Sequence, residues 1–130
     1  MKKLFLFFSH KNNFSKIQKE DAKVTLGVEA FVTLPSELQE LWSNVPPEIE
    51  ELATYLEPFK HYLQKQSIKD DVVLIHGEAG STYTMVNIVK ELGLEAVHAT
   101  SKRNVVEKKI GNNKIEKVSV FEHSRFRVYA

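Results

Sequence analysis

Apolar residues along this chain fall into two patterns. Leu4-Phe5-Leu6-Phe7-Phe8 and Val72-Val73-Leu74-Ile75 are short unbroken runs, the mark of strands buried on both faces. Shorter segments at Ala30 to Thr33 and Ala96 to Ala99 predict two further strands. Between these runs the apolar positions recur at helical spacing. A helix is predicted from Ser15 to Leu26, closed by Gly27 as a C-cap residue. A short one is predicted from Glu37 to Trp42, with Ser36 as N-cap. Ser43-Asn44-Val45-Pro46-Pro47 then makes a stiff break. Ile49, Leu52, Ala53, Leu56, Phe59 and Leu63 predict a longer helix from Glu48 to about Gln66, which Pro58 should kink or divide. A last helix is predicted from Ser81 to Leu92.

After Thr100 the character changes. Asn104 to Lys109 and Lys114 to Phe121 flank Gly111-Asn112-Asn113, a hairpin signal, and Phe126 to Tyr129 predicts a final strand. The order β-α-β-α-α-β-α-β-β-β predicts an α/β fold: one Rossmann-like domain over residues 1–130, with flanking helices and a C-terminal β-hairpin addition.

Composition narrows the function classes. With no cysteine there is no disulfide scaffold, thiol nucleophile or thiolate metal site. The five histidines show no i,i+4 pairing, and Asp70-Asp71 reads as a strand lead-in, so no metal site is expected. The apolar run after Met1-Lys2-Lys3 is too short to span a membrane and lacks a small-residue cleavage pattern. It reads as a first buried strand, and a cytoplasmic location without membrane partners is expected. A net charge of +1 hides an asymmetry. Between Glu20 and Glu57 nine acidic residues face one basic, whereas from Thr100 to Ala130 eight basic residues face three acidic. Such a field favours an anionic ligand near the C-terminal third, or marks a solvated hairpin.

The candidate chemistry begins at His76-Gly77-Glu78-Ala79-Gly80-Ser81-Thr82. A buried strand entering a glycine-bearing turn that opens a helix can present backbone N–H groups and a helix N-terminus to a phosphate. It can equally be a plain βα turn. No lysine follows Gly80, so it is not a Walker A loop, and it lacks the three glycines of GxGxxG. The predicted strand ending at Ala99 delivers Thr100-Ser101-Lys102-Arg103 to the same sheet edge, so a nucleotide or oligonucleotide ligand is expected there.

Phe7-Phe8-Ser9-His10, Leu34-Pro35, Leu41-Trp42-Ser43-Asn44-Val45-Pro46-Pro47-Glu48, Val73 to Gly80, Ala99 to Arg103 and Phe121 to Arg127 together resemble the small single-domain CRISPR-associated accessory proteins of type III systems. The Trp-Ser-Asn-x-Pro-Pro and Ala-Thr-Ser-Lys-Arg strings carry most of that resemblance, which spans almost the whole chain. Those proteins are similar to the CRISPR-associated Rossmann fold, and several are ring nucleases. The resemblance implies a homodimer that binds cyclic oligoadenylate, with cyclic tetra-adenylate the expected ring, and no long nucleic acid. It implies metal-independent opening by the ribose 2′-OH, without a cofactor, to a linear product ending in a 2′,3′-cyclic phosphate. A non-cleaving sensor or sponge shares every binding residue with the nuclease.

Catalysis then falls to Lys102 and Arg103, which can stabilise charge on phosphoryl oxygens, and to His10 and His123 as proton carriers or as structural histidines. Gly77, Glu78, Gly80, Ser81 and Thr82 would line the phosphate turn, although the Glu78 charge suits it only by pointing away or meeting a ribose or base. Ser9, Thr100 and Ser101 can donate to phosphate or hold turns. Arg125 and Arg127 alternate with Phe126 and share one strand face. Trp42 and Asn44 can stack on and read adenine, or Trp42 can be core.

Overall fold

The computed structural model describes residues 1–9, 14–111 and 114–130. Five strands form one sheet in the order β2-β1-β3-β4-β5. They are β1 (Lys3–Phe8), β2 (Ala30–Thr33), β3 (Val72–His76), β4 (Glu95–Lys109) and β5 (Ile115–Val128). The first four run parallel, and β5 is antiparallel to β4. The result is a mixed α/β architecture with helices on both faces.

Period-two alternation sorts the strand residues between two cores. Phe5, Phe7, Val73, Ile75 and Ala96 point to one face. They pack there against α2 (Ser36–Ser43), α3 (Glu57–Gln66) and α4 (Ala79–Glu91). Leu4, Leu6, Val72, Leu74 and Val97 point to the other. That face is covered by α1 (Lys16–Asp21), which continues as a π-helical turn over Ala22–Leu26. A capping box starts α1: the Ser15 hydroxyl accepts from the Gln18 N–H while the Gln18 side chain accepts from the Ser15 N–H. Gly27, at φ 68°, closes the turn in the left-handed conformation expected of a C-cap glycine.

Asp71, fully buried at the entrance to β3, is satisfied from β1 and from the segment that leads into β3. Its carboxylate accepts from the Lys3 and Ile68 N–H groups, both at 2.9 Å, and pairs with Lys3 Nζ at 3.8 Å. It ties the start of β1 to the start of β3.

Four expectations differ. The helix predicted from Glu48 begins only at Glu57, with Pro58 in its first turn, where a missing N–H costs nothing. Ser36 lies inside α2 and Pro35 occupies the cap position without a side-chain bond. Thr100 to Arg103 is not a loop but the continuation of β4, and the last two predicted strands are one. The outer parts of β4 and β5 therefore form a two-stranded arm beyond the sheet. No helix among the described residues is long and apolar enough to cross a membrane.

Candidate functional site

The strand order reverses beside β1. The chain leaving β1 turns into α1 on one face, and the chain leaving β3 turns into α4 on the other. Connections that part in this way leave a crevice outside the C-terminal ends of the two strands. Phe8 and His76 are register partners at that edge.

The end of α2 closes one side of the crevice. Gln39 Nε2 donates to the Phe8 carbonyl at 2.7 Å, Ser43 Oγ to the Ser9 carbonyl at 2.7 Å, and Trp42 Nε1 to the His76 carbonyl at 3.0 Å. Asn44 Nδ2 donates to the Glu40 carbonyl at 2.9 Å. Gln39, Trp42 and Ser43 thus clamp the ends of β1 and β3. Trp42 is 1% exposed and wedged between Phe7 and Phe59, so it offers no face to a base. Its assignment as an adenine platform is corrected on that ground, and Asn44 is engaged in closing its own helix.

The glycine turn is also committed to the fold. Glu78 caps α4, its carboxylate accepting from the Ser81 N–H at 2.9 Å, so the protein's own anion occupies a donor expected to meet phosphate. Neither Gly77 nor Gly80 takes the left-handed conformation. Gly77 is needed for space: a Cβ there would lie 2.9 Å from three Trp42 indole atoms, whereas one on Gly80 would meet only the ends of the Glu78 and Leu52 side chains, at 3.0 Å. Ser81 is buried, and Ser81 Oγ and Thr82 Oγ1 have no hydrogen-bond partner among the described residues.

Beside this turn lies a half-open cavity of about 450 Å³, lined by His76, Gly77, Thr82, Tyr83, Asn87 and Tyr129 among others. Tyr129 joins it to the base of the arm. Its hydroxyl donates to the Ile75 carbonyl at 2.8 Å and its ring packs on His98 at 4.7 Å between centroids. Burial raises the Tyr129 pKa. Burial, and then the Arg127 charge, lower that of His98, partly offset by a backbone hydrogen bond at Ala99. His98 is the register partner of Arg127, and Thr100 of Arg125. Phe126 is buried in the α1-side core, so Arg125 and Arg127 lie on the opposite face, the one that carries His98. Both arginines are exposed.

Other expected residues sit elsewhere. The ladder carries a bulge at Thr100/Ser101, and the Thr100 hydroxyl repairs it, donating to the Arg125 carbonyl at 2.8 Å and accepting from the Arg125 N–H at 3.2 Å. Lys102 and Arg103 are neighbours on a strand and face opposite sides of the arm, so they do not form a cationic pair. Lys102 stands opposite Glu122, and Arg103 Nε donates to Ser119 Oγ at 3.1 Å. His123 lies on the α1 side, where Nε2 meets Asp21 Oδ2 at 2.7 Å and the ring packs on Phe126 at 4.8 Å. Its side chain is 6% exposed, so it acts as a tether between β5 and α1 rather than as a proton carrier at the crevice. Ser101 is exposed as the register partner of His123, and Ser9 is half-buried at the end of β1. His10 lies outside the described residues. No group of three or more metal-ligating side chains comes together among the described residues.

Sequence reasoning missed Tyr129 and His98, since nothing local marks the residue just past β5, or its aromatic partner on β4, as the bridge between a helix turn and a distant hairpin.

The chain belongs to the uncharacterized protein MJ1673 family, whose profile matches residues 2–127. It is similar to the uncharacterized protein MJ1673 of Methanocaldococcus jannaschii, with 43% identity over 129 residues, covering 99% of this chain and 98% of that one. No solved structure matches it.

Proposed function

We propose that this protein binds cyclic oligoadenylate, with cyclic tetra-adenylate the preferred ring. It opens the ring by attack of the ribose 2′-OH without a metal, and so ends type III CRISPR signalling in the cytoplasm. The same proposal reads the fold as Rossmann-like, since β2-β1-β3-β4-β5 is a doubly wound strand order. One observation carries it: Arg125 and Arg127 share an exposed face of β5, beside His98 and the Tyr129 wall of a cavity at the C-terminal sheet edge. Guanidinium groups suit bidentate contact with phosphodiesters. Tyr83, 73% exposed on the cavity wall, offers a ring on which a base can stack.

A 2′-OH nucleophile belongs to the ligand, so the protein's task is to hold oxygen, phosphorus and leaving oxygen in line and to stabilise the added charge. His76 is exposed at the crevice and takes the proton-carrying role that His123 cannot fill. A second reading, binding without cleavage, is favoured by Glu78 and His123, whose carboxylate and Nε2 respectively are bonded within the fold.

The test is incubation with cyclic tetra-adenylate in EDTA, resolving products by chromatography. Linear products ending in a 2′,3′-cyclic phosphate support cleavage. An intact ring recovered bound to protein supports the second reading, and no binding contradicts both.

A further inference from the structure

The β4–β5 arm exposes an apolar surface with no evident use in a single chain. A two-stranded ribbon with both faces in water is at best marginally stable. Cross-strand partners share a face, so the register sorts the arm's side chains. One face carries, from base to tip, Lys102/Glu122, Asn104/Val120, Val106/Val118 and Lys108/Glu116. Its apolar centre is contiguous and wet, with Val106 50% and Val118 and Val120 each 38% exposed. A lysine–glutamate pair bounds that centre at each end. On the other face the Glu107/Lys117 pair interrupts the apolar residues, separating Val105 and Phe121 from Ile115.

We infer that this valine face docks on the same face of a second copy of the chain, with the two arms aligned base to base. The charges select the alignment. A two-fold axis running along the arms lays β4 over β5 of the partner subunit. Lys102 then meets Glu122 of the partner subunit, Lys108 meets Glu116 of the partner subunit, and Val106 meets Val118 of the partner subunit. A two-fold axis running across the arms instead lays β4 over β4. That stacks lysine on lysine and glutamate on glutamate around the same valines. Like charges juxtaposed at an interface are costly, so the aligned pairing is specified and the inverted one is rejected. A homodimer needs such a self-complementary patch. The aligned arms keep both bodies at one end of the assembly. This pairing does not depend on the ligand.

Light scattering behind a sizing column should give a particle of about twice 14.9 kDa for the natural chain. Val106→Asp combined with Val118→Asp should give a monomer that keeps its far-UV circular dichroism and cooperative melting. A monomeric natural chain, or a folded double variant that stays dimeric, overturns the inference. Orientation is read by cysteine cross-linking, for which the chain offers no native thiol. Facing sheets pack about 10 Å apart, beyond the reach of a disulfide, so Val106→Cys protein is mixed with Val118→Cys protein, allowed to exchange subunits, and treated with a short bismaleimide. The aligned arms predict the mixed 106–118 cross-link as the most efficient one. More efficient cross-linking between Asn104→Cys and Val106→Cys proteins, the pair that the inverted arms would bring together, or no cross-link at all, overturns it.

Discussion

Replacing Gly77 with alanine separates two explanations of the glycine turn. If the glycine serves the approach of a phosphate, the substitution should leave stability intact and weaken binding. The structure gives it another task. The added methyl would lie 2.9 Å from Trp42 Cε2, Cζ2 and Nε1, closer than carbon atoms tolerate. The indole has little room to retreat. It is held by its hydrogen bond to the His76 carbonyl and packed edge-on against Phe7 and Phe59. Overpacking of a fixed core costs about 1–3 kcal/mol. For a domain of this size that is a fall in Tm of roughly 3–12 °C. The assay is urea unfolding followed by far-UV circular dichroism, with the midpoint expected to fall at unchanged m. Trp42→Phe provides the control. It removes the clashing atoms along with a hydrogen bond, so Gly77→Ala should cost less than about 0.5 kcal/mol in that background, a coupling of about 0.5–3 kcal/mol. A Gly77→Ala protein as stable as the natural chain, yet deficient in binding cyclic tetra-adenylate, would refute this reasoning.

Four further outcomes follow from the same contacts. Glu78→Ala should lower stability by about 1 kcal/mol through loss of the α4 cap and raise affinity for cyclic tetra-adenylate by freeing the Ser81 N–H; a fall in affinity would place Glu78 on the ligand. Asp21→Ala should cost about 1–3 kcal/mol in urea unfolding, because it strands the buried His123 Nε2; a cost below about 0.5 kcal/mol would deny the tether. Because the folded-state pKa of His98 is lowered, the unfolded chain binds the proton first, so stability present above the unfolded value of 6.5 is lost as pH falls through the folded pKa. His98→Gln should flatten this part of the stability–pH curve, and Arg127→Gln should narrow it; identical curves for all three proteins would contradict the assignment. Arg125→Ala with Arg127→Ala should reduce affinity for cyclic tetra-adenylate at least about a hundredfold, each charge-assisted contact contributing about 1.5–3 kcal/mol, with Tm unchanged because both side chains are exposed.

Elements with a local cause were legible in the sequence. The β1 run, the β2 segment and the Gly27 cap each rest on residues a few positions apart, and the structure has them where expected; the strands flanking the expected hairpin turn are paired, while Asn112 and Asn113 lie outside the described residues. The helix expected from Glu48 was not, because apolar spacing continues through Ile49 and Leu52 while the Pro46-Pro47 break and Pro58 delay the helix to Glu57. The continuation of β4 past Ala99 was hidden for a different reason. Thr100-Ser101-Lys102-Arg103 has no alternation, and the strand exists through its ladder with β5. At the site, the shared face of Arg125 and Arg127 was legible from period two. The roles of Trp42, Glu78 and His123 depend on His76, Ser81 and Asp21, partners set by tertiary packing, so the residue types alone suggested ligand contacts that the fold uses for itself.

The most direct measurement is a calorimetric titration of the natural chain with cyclic tetra-adenylate in EDTA, beside linear tetra-adenylate. Expected are saturable binding of the ring at one per two chains, weaker binding of the linear form, and a marked loss of both in the Arg125→Ala/Arg127→Ala protein. Absence of binding, or undiminished binding by that variant, would contradict the proposal.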